Sequence, residues 1–143
     1  MRKSELMTLW NVESWAVEPY GVYFVSRRLG TNRLENEVQA FQKLNISCTN
    51  YTEVEVLSLP MWKQLSVQLD KLDQLAQELI EQEIPQEESV VLTLTDIMLD
   101  KSGCYDAFAL GYDVGESPAG HLYLLVPFDE NFTAQQDVIY ETL

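Results

Sequence analysis

The sequence predicts an α+β domain in which one long amphipathic helix packs against an antiparallel β-meander. Two observations carry this prediction. Between residues 60 and 84, apolar side chains recur at steps of three and four, the spacing of one helix face. After residue 89, runs rich in β-branched and aromatic residues are joined by short links, which force neighbouring strands to be antiparallel. A length of 143 residues with 46% hydrophobic residues is typical of a single globular domain.

The long helix is predicted over 60–84. Pro60 stands in the first turn, where a missing N–H is harmless, and Pro85 ends the helix. The apolar stripe consists of Trp62, Leu65, Leu69, Leu72, Ala76 and Leu79. The acidic residues of the other face, with their continuation, are Asp70, Asp73, Glu78, Glu81, Glu87 and Glu88. Such a run is typical of a solvated face, and it is also a candidate surface for a basic partner.

Strands of the meander are predicted at 89–99, 104–114 and 120–128, with a fourth candidate at 136–142. Turns centred at 101–102 and 116–117 fix which residues share a face. The face predicted to meet the helix consists of Leu92, Leu94, Ala107, Ala109, Gly111, Leu122, Leu124 and Val126. The other face is mixed, and three covers are open: the Trp10–Trp15 segment, the first helix or a second copy of the chain.

The N-terminal third adds three predicted elements. A strand is expected at 22–26 after the turn residues Pro19 to Gly21. A helix is expected at 32–45, because Leu34, Val38, Phe41 and Leu44 have helical spacing. Val54 and Val56 alternate with polar residues, which predicts a short strand at 51–58.

Charge is the clearest global signal. The net charge is −14, and residues 51–143 hold eighteen acidic residues against three basic ones. A chain this acidic is a poor binder of nucleic acid, which requires clustered Lys and Arg, and of anionic membrane surfaces. It favours a basic protein partner, although acidity also serves solubility alone.

The predicted location is the cytoplasm. Polar residues interrupt any apolar core near the start, and no run approaches the length of a membrane span. Two cysteines, Cys48 and Cys104, are too few for a disulfide framework.

The single histidine, His121, carries the ligand-binding prediction. The assumed register places it opposite Tyr112 on the mixed face, beside Tyr123 and near Asp113 at the edge of the turn. These four residues form the candidate ligand-binding site. The competing interpretation is a partly buried histidine satisfied by a tyrosine hydroxyl.

No catalytic residue, metal ion or cofactor is predicted. A Cys104–His121 pair would be separated by about 26 Å along the hairpin, far beyond hydrogen-bond reach. Asp113, Glu116 and His121 are ligand types for a divalent ion, but their spacing matches no established motif.

The C-terminal part, about residues 65–142, resembles small bacterial conserved α+β domains of unknown function. The resemblance rests on "LDKLDQLAQELI", "FALGYDVG", "LYLLVPFDEN" and "IYET". Some small acidic proteins of this general build are immunity proteins against secreted toxins. The resemblance implies a fold and a class, and no functional residue.

Three functions follow as hypotheses. The first is a non-catalytic interaction module of the inhibitor or toxin-immunity type, binding a basic partner. The second is a small-ligand-binding or accessory domain around Tyr112, His121 and Tyr123. A small enzyme is disfavoured for want of a nucleophile motif, and a homodimer through the mixed face is left open.

Overall fold

The computed structural model describes residues 1–29, 41–83, 92–103, 105–117, 120–135 and 138–142. Within these ranges the chain forms three helices and seven strands. In chain order they are α1 (Lys3–Leu9), β1 (Val12–Glu18), β2 (Gly21–Leu29), β3 (Phe41–Thr49), α2 (Glu53–Ser58), α3 (Trp62–Glu83), β4 (Leu94–Asp100), β5 (Phe108–Ser117), β6 (Gly120–Phe128) and β7 (Ile139–Thr142). The α+β class and the long helix of the sequence prediction are confirmed.

The strands form one sheet whose spatial order follows the chain, β1 to β7. Every neighbouring pair is antiparallel except β3 and β4, which are parallel. Parallel neighbours need a long crossover connection, and the chain between them contains α2 and α3. The sheet therefore consists of two antiparallel meanders joined at its centre, of which the sequence predicted the second.

Helix α3 packs against one face of this sheet, which we call the covered face. Its buried stripe consists of Trp62, Leu65, Leu69, Leu72, Ala76 and Ile80. The indole of Trp62 makes edge contacts with Phe24 of β2 and with Trp10, at centroid distances of 5.7 and 5.8 Å. Trp15 stacks on Phe24 at 4.8 Å. The Trp10–Trp15 segment thus belongs to the covered face and does not shield the opposite one.

The predicted short strand at 51–58 is wrong, because this segment contains helix α2. Thr52 Oγ1 accepts from the Glu55 backbone N–H at 3.2 Å, and Glu55 Oε1 accepts from the Thr52 N–H at 3.1 Å. This capping box satisfies donors that a helix start leaves free. The alternation of Val54 and Val56 reflects burial of Val56 alone, since Val54 is 74% exposed.

The predicted helix at 32–45 is also wrong over its last part, where β3 begins at Phe41. Leu44, Ile46 and Cys48 alternate into the core, and pairing with β2 and β4 on both sides determines the strand. Residues 30–40 lie outside the described residues. The sequence also missed α1 and β1, and β2 extends beyond the predicted 22–26.

The meander is present, with its third strand at the predicted 120–128, but its other strands have different bounds and its register differs. Ile97 pairs with Leu110, and Tyr112 pairs with Leu124 rather than with His121. Phe108, Leu110 and Tyr112 consequently belong to the core, where the prediction placed the small residues of β5. Successive side chains of a strand point to opposite faces of the sheet. A register change of one residue, or a bulge, therefore moves side chains from one face to the other. None of the helices in the described ranges is long and apolar enough to cross a bilayer.

Candidate functional site

Three of the four predicted ligand-binding residues lie together on the sheet face opposite α3, which we call the open face. His121 Nε2 is 2.5 Å from Asp113 Oδ1, and the His121 and Tyr123 rings are 4.9 Å apart. Asp113 and Tyr123 are direct cross-strand partners of β5 and β6. His121 itself pairs with Glu116 near the end of this hairpin.

Tyr112 does not belong to this group, contrary to the sequence-based assignment. Its side chain is fully buried in the covered face, and its hydroxyl donates to Asp73 Oδ1 of α3 at 2.5 Å. The residue therefore connects β5 to the helix. Its neighbour Asp113 points the other way, since successive strand residues alternate between faces.

A cavity of about 340 Å³ lies on the open face beside Asp113 and Tyr123. Its size is at the lower end of the range of small-ligand pockets. The nine lining residues combine carboxylates with amide, hydroxyl, aromatic and apolar groups. They are Lys43, Asn45, Thr95, Asp96, Met98, Asp113, Tyr123, Leu125 and Glu141. Asp96 and Glu141 were not singled out in the sequence.

Two irregularities of strand pairing shape this cavity. The β4–β5 register shifts between Leu94 and Asp96, so that Thr95 is an extra residue there. The β5–β6 register shifts between Asp113 and Gly115. Bulges of this kind redirect side chains and are over-represented beside functional sites. Because of the first bulge, the adjacent residues Thr95 and Asp96 both line the cavity.

Gly111 lies on β5 at the end of the first bulge, and it pairs with Asp96 on one side and Leu125 on the other. A Cβ atom at this position would be 3.0 Å from Asp96 Cβ and 3.2 Å from Leu125 Cδ2. Because the side chain is missing, these neighbours approach the strand closely and occupy the space that a Cβ atom would need.

The electrostatics of the cavity centre on Asp96. Burial raises the pKa of its carboxyl, and the nearby charge of Asp113 raises it further. A hydrogen bond from Thr95 Oγ1, at 2.7 Å to Oδ2, acts in the opposite direction. The lining lysine, Lys43, forms an ion pair with Glu13 at 3.3 Å. The cavity thus has an excess of acidic groups over basic ones.

The acidic face of α3, the other predicted site, is partly engaged within the chain. Asp70 forms an ion pair with Arg28, and Asp73 accepts from Tyr112 and from Gln77 Nε2. Glu78 and Glu81 are exposed. Glu87 and Glu88 lie outside the described residues.

Metal binding and nucleophilic attack by a cysteine are two other chemistries to compare with the described ranges. There, no group of three or more His, Cys, Asp and Glu side chains is arranged to hold a metal ion. Cys48 is completely buried on the covered face, and desolvation raises the pKa of its thiol to about 12. Such a thiol is a poor nucleophile, because the thiolate is the reactive form. Cys104 and the Glu116 side chain lie outside the described part of the molecule.

The comparisons with known proteins add no function. No protein-family model matches the chain, and neither the curated proteins nor the solved structures compared with it gave a match. The resemblance to small bacterial α+β domains stays a pattern in the sequence.

Proposed function

We propose that this protein is a non-catalytic interaction module that binds a basic protein partner through the open face of its sheet. The observation that carries this proposal is the cavity on that face, with the carboxylates of Asp96, Asp113 and Glu141 in its lining. Carboxylates beside an accessible cavity attract cationic groups and accept charge-assisted hydrogen bonds from them.

The sequence alone favoured the acidic face of α3 for this role. The carboxylates of Asp70 and Asp73 already contact other residues of the chain, so they are less available to a partner. The open face is the better candidate, since its carboxylates adjoin a concave site in which a partner side chain can be desolvated.

A symmetric homodimer through the open face is a weaker alternative. In an isologous interface the same patch faces itself, which would bring the carboxylates of two cavities near one another. Like charges at an interface weaken association, whereas a basic partner neutralises them. We therefore expect light scattering to give a monomer at low salt.

Within this proposal the inhibitor and toxin-immunity types are the favoured classes. The strong negative charge would accelerate encounter with a basic toxin and exclude acidic partners. We also propose a cytoplasmic location, since a free buried thiol such as Cys48 suits a reducing compartment. Protection of cells against the product of a neighbouring toxin reading frame would test the immunity class directly.

The binding experiment compares two pairs of substitutions that remove equal charge. D96N/E141Q removes two carboxylates from the open face, and E78Q/E81Q removes two from α3. A labelled arginine/serine peptide serves as the basic probe, with fluorescence anisotropy as the readout. We expect D96N/E141Q to weaken binding much more than E78Q/E81Q, and added salt to weaken wild-type binding because it screens charge.

Equal losses in the two variants would contradict the assignment to the open face. Binding that is insensitive to salt would contradict the electrostatic basis of the proposal.

A small-ligand-binding domain is the second candidate. The specific observation in its favour is that His121, Tyr123 and Asp113 lie together at the edge of a closed hairpin, next to a cavity of ligand size. Thermal-shift screening against a panel of metabolites tests it, because a ligand that binds the folded state raises Tm.

A further inference from the structure

We propose that the cavity on the open face is a specific site for one organic cation, an ammonium or guanidinium group on a short alkyl chain. This inference deepens the proposed function and rests on it. It assigns to the cavity a chemical class of occupant, supplied either by an Arg or Lys side chain of a partner or by a free small amine.

The sheet register shows how the site is built. Asn45, Asp96, Gly111 and Leu125 are successive cross-strand partners and form one row across β3 to β6. Asp113, Tyr123 and Glu141 form a second row across β5 to β7. Asp113 follows Gly111 by two residues on the same strand, so the two rows are adjacent. Gly111 carries no side chain, so Asp96 and Leu125 lie close together over this strand, beside the second row.

The lining matches an alkyl cation better than other ligands. Asp96, Asp113 and Glu141 supply negative charge, while Met98 and Leu125 supply apolar surface for methylene groups. The Tyr123 ring adds a surface that attracts cations placed over its face. A bare metal ion would gain nothing from the thioether and leucine groups, and an inorganic anion would meet the excess of carboxylates.

The state of Asp96 supplies independent support. Oδ2 of Asp96 accepts a hydrogen bond from Thr95 Oγ1. None of the residues that the structure describes donates a hydrogen bond to Oδ1 of Asp96. Asp96 is partly buried, and this burial is the main reason that the pKa of its carboxyl is raised. An inserted cation would donate to the free oxygen and offset the repulsion from Asp113.

The size of the cavity is consistent with one side-chain group. At about 340 Å³ it is too small for a folded segment of a partner, but it has room for the end of an arginine or lysine. Anchors of this kind often dominate an interface, since one desolvated contact contributes much of the affinity.

The test is a titration of the isotope-labelled protein, followed by NMR, with butylguanidine and with 1-butanol as its uncharged counterpart. We expect butylguanidine to shift amide signals around Gly111 and Tyr123, with 1-butanol having no comparable effect. Asp96→Asn should weaken butylguanidine binding about tenfold or more, the loss expected for a charge-assisted hydrogen bond. E78Q/E81Q should leave binding unchanged.

Two further arms identify the source of the cation. A glycine/serine peptide with one arginine tests a partner side chain, and spermidine tests a free amine. Binding of the peptide that is lost in Asp96→Asn supports the partner side chain. Binding of spermidine alone supports a small-molecule site.

Three outcomes would overturn the inference. They are absence of binding by every cation, equal binding of butylguanidine and 1-butanol, or unchanged affinity in Asp96→Asn. Asp96→Asn is expected to fold, because it removes a costly charge and keeps an acceptor for Thr95. The two proposals can also be separated. If wild type binds none of the small cations, but D96N/E141Q no longer binds the arginine/serine peptide, the inference fails and the proposed function stands.

Discussion

The covered and open faces of the sheet differ most clearly at two consecutive residues, Tyr112 and Asp113. Tyr112 is fully buried and donates to Asp73, which stabilises the packing of α3 on β5. Asp113 is exposed, contacts His121 and lines the cavity. One strand therefore supplies a structural residue and a candidate binding residue in adjacent positions. Alternation along the strand keeps the two roles separate, so that one face can be changed without disturbing the other.

The largest expected effect lies on the covered face. Trp62→Ala should reduce the free energy of unfolding by about 3–5 kcal/mol, because it empties a completely buried site between Phe24 and Trp10. Urea denaturation followed by circular dichroism measures the change. Val67→Ala on the same helix is the control, since Val67 is 83% exposed and should tolerate the substitution. Similar losses in the two variants would contradict the packing of α3 described above.

The second prediction separates the two neighbouring residues. Tyr112→Phe removes the hydrogen bond to Asp73 and should cost about 1–2 kcal/mol of stability, with cation binding unchanged. Asp113→Asn should weaken binding of the basic peptide and change stability less. Chemical denaturation and anisotropy titrations on the same preparations give both quantities. Tyr112→Phe could also bind less because part of it is unfolded. A loss of binding larger than that unfolded fraction would show that the two faces are not independent.

A smaller effect is expected at the start of α2, in the crossover between the two meanders. Thr52→Ala removes the acceptor for the Glu55 backbone N–H, and such capping losses cost about 1 kcal/mol. Thr52→Ser keeps the acceptor and is the matched control. Thermal unfolding should show a lower Tm for the alanine variant only, and equal Tm values would show that the capping box contributes little.

The smallest stability effect has the opposite sign and lies on the open face. The pKa of Asp96 is higher in the folded state than in the unfolded chain, mainly through burial. Folding therefore binds protons between the two pKa values, and the contribution of Asp96 to stability becomes less favourable as pH rises through that window. Asp96→Asn should be slightly more stable than wild type at neutral pH. The difference should vanish when the pH is well below 3.8, the ordinary pKa of this carboxyl, because Asp96 is then protonated in both states.

Urea midpoints measured across pH test this sign. The ionisable groups of Asp113, Glu141, Lys43 and Tyr123 also line the cavity and are present in both proteins, so the difference between the curves isolates Asp96. A variant less stable than wild type at neutral pH would show that Asp96 is a structural residue of the sheet. Binding of butylguanidine by wild type should also weaken as acidic pH protonates the carboxylates.

Part of the candidate site could be predicted from the sequence. The turn between β5 and β6 is short, which predicted that Asp113, His121 and Tyr123 lie near one another. Asp96 was missed, although a signal for it exists in "LTDI". Leu94 and Ile97 are both buried with two polar residues between them, whereas regular alternation places only one residue between core positions. This spacing indicates a bulge, and a bulge would have directed attention to Thr95 and Asp96.

The wrong elements have a common physical reason. Val54 and Val56 fit a strand, and Phe41 and Leu44 fit a helix, when each segment is considered alone. The capping box decides the first case, and pairing of β3 with strands on both sides decides the second. Neither periodicity is long enough to outweigh such contacts.

Four properties could be predicted without the structure: the α+β class, the apolar stripe and approximate ends of α3, the C-terminal meander and the excess of negative charge. These properties depend on composition and on periodicity within one segment, which local sequence carries. The face of β5 that meets the helix, in contrast, depends on contacts between distant segments of the chain. Its two faces carry Ala109 and Gly111 or Phe108, Leu110 and Tyr112, and both are apolar enough to be buried. Pairing register and two bulges made that choice, and with it they placed Asp96 beside Asp113 on the open face.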